Sequence, residues 1–165
     1  MPSTYTPIAT TTLGSATNEV IFSSIPSIYT DLVFIANAKP STSAYMGYGQ
    51  FNGDTGTNYS ETLLYGTGST AGSNRESNRT NCYFGNWTTQ NSTSSFTAYI
   101  INIMNYANTT TYKTAISRSA DAGTETNAVV NLWRSTAAIT SFKFSLNTGN
   151  FVAGSTFTLY GVKSA

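Results

Sequence analysis

Apolar residues return at every second position in one stretch of this chain after another. From Ser95 to Tyr106, Phe96, Ala98, Ile100 and Met104 fall on one side, and Tyr99, Ile101 and Ile103 on the other. That is the two-residue period of a β-strand. Asp31 to Ala38 repeats it, with Leu32, Phe34 and Ala36 facing one way and Val33 and Ile35 the other. Both sides are apolar there, so this strand is expected to be covered on both faces. The same reading predicts strands over Tyr5 to Thr12, Glu19 to Ser23, Tyr45 to Phe51, Tyr59 to Tyr65 and Asn81 to Trp87. Further ones follow over Tyr112 to Ser119, Asn127 to Arg134, Ile139 to Leu146 and Thr156 to Val162. No segment carries a 3.6-residue apolar period, so little helix is expected.

About ten strands at spacings of roughly 8–15 residues make a sandwich or a barrel. Eight or more antiparallel strands must close or stack to bury one face, which favours an all-β, antiparallel two-sheet β-sandwich, jelly-roll-like. No composition break or repeat divides the chain, so residues 1–165 are expected to form a single domain. The longest polar run, Gly66 to Thr80, holds Arg75, Glu76 and Arg79 and predicts one long surface loop.

Composition narrows the chemistry. The chain has no histidine, one cysteine (Cys82) and seven carboxylates, while 66 of its 165 residues are Ser, Thr or Asn. Without an imidazole, a Ser-His-Asp triad and histidine metal sites are excluded. Cys82 has no partner for an intrachain disulfide and reads as a small buried side chain. Paired carboxylates among Asp31, Asp54, Glu61, Glu76, Asp121 and Glu125 remain available for glycosidase chemistry, but none sits in an aromatic-flanked motif that would raise its pKa. The segment Asn52–Gly53–Asp54–Thr55–Gly56–Thr57–Asn58 alternates oxygen ligands as a calcium loop does, but one carboxylate is few for such a site. It reads equally as a β-turn in which Gly and Asn supply positive φ and Asp54 caps amides. No cofactor is expected. Five Asn-x-Ser/Thr triplets, at Asn58, Asn78, Asn86, Asn91 and Asn108, are taken as accidents of a Ser/Thr-rich composition.

Only 9% of residues are charged and the net charge is +1, which gives no electrostatic case for nucleic acid. It also leaves little repulsion to keep copies apart. No stretch approaches the ~20 apolar residues of a membrane helix, and no signal peptide is legible at Met1. What remains is recognition by surface. Tyr45, Tyr48, Tyr59, Tyr65 and Trp87 could stack on sugars, anchor a protein interface or simply fill the core. The interface candidates are Tyr45, Tyr48, Tyr65 and Trp87, with Arg75 and Arg79 from the polar run. Trp87 and Trp133 are core or interface.

Several blocks resemble a β-sandwich module of tailed-bacteriophage virion proteins, as found in marine and cyanobacterial phages. The run from Tyr5 to Lys39 is similar to its opening, and FNGDTGTNYS (Phe51 to Ser60) to its most distinctive phrase. NYANTTTYKTAISR (Asn105 to Arg118), LWRSTAAITSFKF (Leu132 to Phe144) and NFVAGSTFTLYGVK (Asn150 to Lys163) resemble its later strands and end. Such modules occur in tail fibres, receptor-binding proteins and small capsid-decorating proteins, and the resemblance brings no catalytic residues. It implies a virion structural role without enzyme activity. Because the module begins within a few residues of Met1 and leaves no room for a shaft, the expected role is a decoration, or cement, protein. It would sit as a homotrimeric knob on the capsid exterior and clamp neighbouring major capsid subunits. The alternative is an adhesin that binds host-surface glycans, and a weaker third reading is a depolymerase using acids such as Asp54 and Glu61.

Overall fold

The computed structural model describes residues 4–45, 47–85, 90–121 and 123–163. They form fourteen strands and, among the described residues, no helix. In chain order these are β1 (Tyr5–Thr12), β2 (Glu19–Phe22), β3 (Asp31–Ala38), β4 (Ala44–Tyr45), β5 (Tyr48–Phe51), β6 (Tyr59–Gly66) and β7 (Ala71–Arg79). Then come β8 (Cys82–Tyr83), β9 (Gln90–Asn91), β10 (Thr97–Met104), β11 (Lys113–Asp121), β12 (Glu125–Trp133), β13 (Phe142–Ser145) and β14 (Thr156–Val162). Eight of them make one antiparallel sheet in the order β1-β14-β3-β10-β11-β12-β6-β7, and four make a second, β2-β13-β5-β8. The short β4 and β9 pair separately. The chain passes back and forth between the sheets, as in a jelly roll, but with eight strands on four. The expected all-β two-sheet sandwich is the observed architecture.

The core explains why the small sheet suffices. Three of the four strands of the small sheet send aromatic rings inward, Phe22 from β2, Phe142 and Phe144 from β13 and Phe51 from β5, and β8 adds Cys82. The rings meet Phe34, Tyr99 and Phe157 of the large sheet, with Phe34 edge-on to Phe142 at 5.2 Å and Tyr99 edge-on to Phe144 at 5.1 Å. Offset and edge-to-face aromatic pairs stabilise such a core beyond area burial alone. Rings this large need room. A Cβ at Gly49 would lie 2.2 Å from the Phe84 ring, and one at Gly47 2.1 Å from Phe144. The glycines of the aromatic run Tyr45 to Phe51 are therefore the clearance for neighbouring rings. That run proves to be two strands, β4 and β5.

Three expectations are corrected. Gly66 to Thr80 is not a loop. It is the turn and second arm of a hairpin, in which Thr67 N–H donates to the Thr70 carbonyl at 2.9 Å, Gly68 takes φ 87°, and β7 follows. β7 escaped the periodicity test because it is an edge strand, whose alternate inward positions are Gly72, Asn74 and Glu76 and not aliphatics. The strand expected over Asn81 to Trp87 shrinks to β8, and its end lies outside the described residues. β11 and β12 run further than expected, to Asp121 and from Glu125, because their closing turn is built from Asp and Thr. Trp133 belongs to the core: it is 2% exposed, with its ring 5.5 Å from that of Phe51.

Candidate interaction surface

The register of the large sheet sorts its side chains into rows, and every second row faces away from the small sheet. One outward row runs Thr10, Thr158, Ile35, Ile100, Arg118, Ala128, Leu64 and Ser73 from β1 to β7. The next crosses Val33, Asn102, Ile116, Val130, Thr62 and Arg75. Beyond it lie Met104, Thr114, Leu132 and Ser60. On the opposite flank the row is Asn37, Ala98, Ala120, Thr126, Gly66 and Ala71, with nothing larger than asparagine.

Six of the large apolar side chains left exposed by the fold fall on the strands of this face: Ile35 and Met104 at 41%, Ile116 at 44%, Val130 at 47%, Tyr5 at 53% and Leu64 at 60%. Solitary exposed aliphatics are ordinary, but contiguous ones on a flat sheet mark a contact site. The charge on the face is sparse. Arg118 stands near its middle and Arg75 on the edge strand. Asp31, at the far side, already accepts the Asn105 N–H at 2.7 Å. The small residues leave shallow depressions on either side of Arg118: one of about 310 Å³ bounded by Leu64, Thr126 and Ala128, and one of about 170 Å³ bounded by Ala98, Ile100 and Ala120. A third, of about 450 Å³, opens at the sheet's corner between Phe96, Thr67, Asp121 and Thr126.

The residues singled out in the sequence do not assemble into one site. Tyr48 and Arg79 do converge, each on Tyr83: the Tyr48 ring centroid lies 4.5 Å from that of Tyr83, and the Arg79 guanidinium stacks over the same ring at 4.2 Å. Tyr65 instead covers Gly72 across the β6–β7 ladder, and Arg75 points to the outward face. Tyr45 lies in β4, paired with Gln90 of β9. Trp87 lies outside the described residues, as does Asn86. The outward aliphatics were visible in the sequence as the second apolar side of β3 and β10. For β3 that pattern had suggested a covering neighbour, and among the described residues Val33 is buried while Ile35 stays 41% exposed.

The Asn52–Asn58 segment is a turn. Asn52 and Gly53 take φ 54° and 67°, and the Asp54 N–H donates to the Phe51 carbonyl at 3.0 Å. Asp54 spends both oxygens on the protein, accepting from Gly56 N–H (2.8 Å), Asn58 Nδ2 (2.9 Å) and Trp133 Nε1 (2.7 Å). Burial pulls its pKa up, but these three donors outweigh burial and hold the carboxyl below its ordinary value. Asp121 is handled alike: it accepts from Ser92 N–H, Ser95 Oγ and Gly123 N–H, all within 3.0 Å.

Glu61 is the exception, and it corrects the expectation that no carboxylate is raised. It is 4% exposed, on the inward side of β6, and neither carboxyl oxygen has a hydrogen-bond partner. Burial drives its pKa up, the Arg79 charge opposes this and Glu76, directly across the ladder, adds to it, leaving the group at about 8. Near it, burial also pushes the Cys82 thiol well up, so this cysteine is a protonated core residue and no nucleophile. Glu76 lies across the ladder from Glu61, and neither residue lines the depressions described above. Among the described residues no group of His, Cys, Asp or Glu is arranged to hold a metal ion.

No family model matches the chain, and no curated protein matches it. Among solved structures, a protein of unknown function from Shewanella oneidensis aligns over 98% of this chain and 80% of its own length, at 11% identity and a TM-score of 0.21. A likeness that distant carries no argument about fold or activity.

Proposed function

We propose that the chain is a structural protein of a phage virion, a capsid decoration protein whose work is contact and not chemistry. The observation that carries this reading is the broad outward face of the large sheet, sparsely charged and studded with aliphatics. The blockwise resemblance to virion β-sandwich modules supports it, as does the two-sheet sandwich that the resemblance implied. Burying such surface between neighbouring subunits of a shell adds stability in proportion to area, and repetition by symmetry turns modest contacts into avidity. The resemblance implies a trimeric knob on the major capsid protein.

The test is the stoichiometry of this protein to major capsid protein on purified virions, before and after tails are separated from heads. Many copies remaining with tailless heads are expected. Copies that leave with the tails overturn the decoration reading in favour of an adhesin. That alternative draws on one feature, the half-exposed Phe96 ring at the mouth of the corner depression, where a sugar face could stack. It predicts saturable binding to host polysaccharide that Phe96→Ala abolishes.

A further inference from the structure

We infer that the outward face of the eight-stranded sheet is a self-association surface, on which two copies of this chain pair face to face about a twofold axis. The area is right. Eight strands at about 4.8 Å spacing and ~8 residues at about 3.4 Å make a face of roughly 900 Å², close to the ~800 Å² that each partner gives to a standard stable interface.

The texture of the face is self-complementary. Apart from Phe96 at the corner, large side chains lie towards one end of the strands and small ones towards the other. A twofold axis in the plane of the face and across the strands reverses that order in the second copy. Before sheet twist is added, Met104 then lies over Ala98 of the other copy, Leu132 over Thr126 and Val130 over Ala128. These three large residues meet small ones, as in the interleaved interior of a sandwich, while Ile35 lies over Val33 of the other copy as an aliphatic pair. Arg118 falls over Ile116 of the other copy and beside its Asn102, whose amide oxygen accepts from a guanidinium.

The alternative route, pairing at the edges of the large sheet, is blocked. β1 carries Pro7 and a bulge between Pro7 and Ala9, and β7 carries Arg75, Glu76 and Arg79. Proline, bulges and charge are how sheets block edge-to-edge addition. A face that matches itself closes with two copies, whereas a threefold ring needs two different patches per subunit. The inference therefore favours dimers over the trimer that the resemblance implies. It draws on the same face as the virion reading, which a dimer would cover, so the two are tested separately: a chain that pairs in solution but is missing from heads fails the virion reading alone.

The experiment is light scattering with size exclusion and sedimentation equilibrium on the purified chain, up to about 100 µM. The wild type is expected at twice 17.6 kDa. Ile116→Lys sets a cation against Arg118 of the other copy and should weaken pairing at least tenfold with an unchanged circular dichroism spectrum. Ile116→Glu meets the same arginine with opposite charge and should pair more tightly than the lysine variant. Ile21→Lys, on the outward side of the small sheet, should leave pairing intact. A wild-type monomer or trimer overturns the inference. So does a dimer indifferent to Ile116→Lys, one in which the Glu and Lys variants weaken pairing equally, or one broken by Ile21→Lys.

Discussion

Replacing Glu61 by glutamine should make the protein more resistant to alkali. The carboxyl is buried on β6, both its oxygens are unpartnered, and its pKa stands at about 8 against 4.5 for the free side chain. Below 4.5 the group is protonated in both the folded and the unfolded chain and contributes nothing to pH dependence. Between 4.5 and about 8 the unfolded chain releases the proton while the folded chain keeps it, so folding becomes less favourable by about 1.36 kcal/mol per pH unit. The accumulated penalty is about 3 kcal/mol at pH 7 and about 5 kcal/mol above pH 8, a large share of the ~5–15 kcal/mol that holds a typical domain together. Glu61→Gln keeps shape and burial but cannot ionise. Urea unfolding of both proteins at pH 5, 6, 7, 8 and 9 should give stabilities that start close and diverge steadily, with the variant ahead at high pH. Every other titrating group is common to both and cancels in the difference. Parallel stability curves across that range would refute the reasoning, because they would mean that the carboxylate is solvated or paired in the folded protein.

Other perturbations test other parts of the structure. Gly49→Ala should destabilise by about 2–3 kcal/mol or prevent folding, since its methyl would drive into the rings of Phe84 and Phe142; thermal unfolding checks this. Asp54→Ala should cost about 2–3 kcal/mol at neutral pH by orphaning the Trp133 indole N–H and the turn amides. Because the folded pKa of Asp54 is depressed, its contribution is complete above 3.8 and disappears as the pH falls through the folded value. The gap between wild type and Asp54→Ala in acid titrations should therefore close only below that point. Phe144→Ala, which removes a ring packed against Phe34, Tyr99, Phe151 and Phe157, should cost about 3–5 kcal/mol in urea unfolding.

The β-class and most strand positions were legible because apolar alternation is the direct imprint of a half-buried sheet. β1, β3 and β14 were read to the residue. β7 was not, since an edge strand held by its backbone ladder needs no apolar side chains to stay in place. The second apolar side of β3 was seen but assigned to a covering layer. Sequence alone reports that a face is apolar, not whether the same chain covers it. The burial of Glu61, named only as one of several candidate acids, was missed for the opposite reason. Nothing in the local text Ser60–Glu61–Thr62 marks burial, which comes from Cys82, Glu76 and Arg79 converging on it from other strands. Pairing of Tyr48 and Arg79 on Tyr83 is likewise a product of strand order.

The first and last strands lie side by side at the margin of the large sheet, with Tyr5 opposite Val162 and the Lys163 N–H donating to the Thr4 carbonyl at 3.2 Å. Both described ends thus leave from one corner, on the same side of the ladder. Tension applied between them would peel β1 from β14 one hydrogen bond after another, each resisting with about 1 kcal/mol, and never load the ladder in shear. Force on this molecule is therefore borne well across its broad sides and poorly through its ends, which also makes that corner a natural place to splice the ends together and reopen the chain elsewhere.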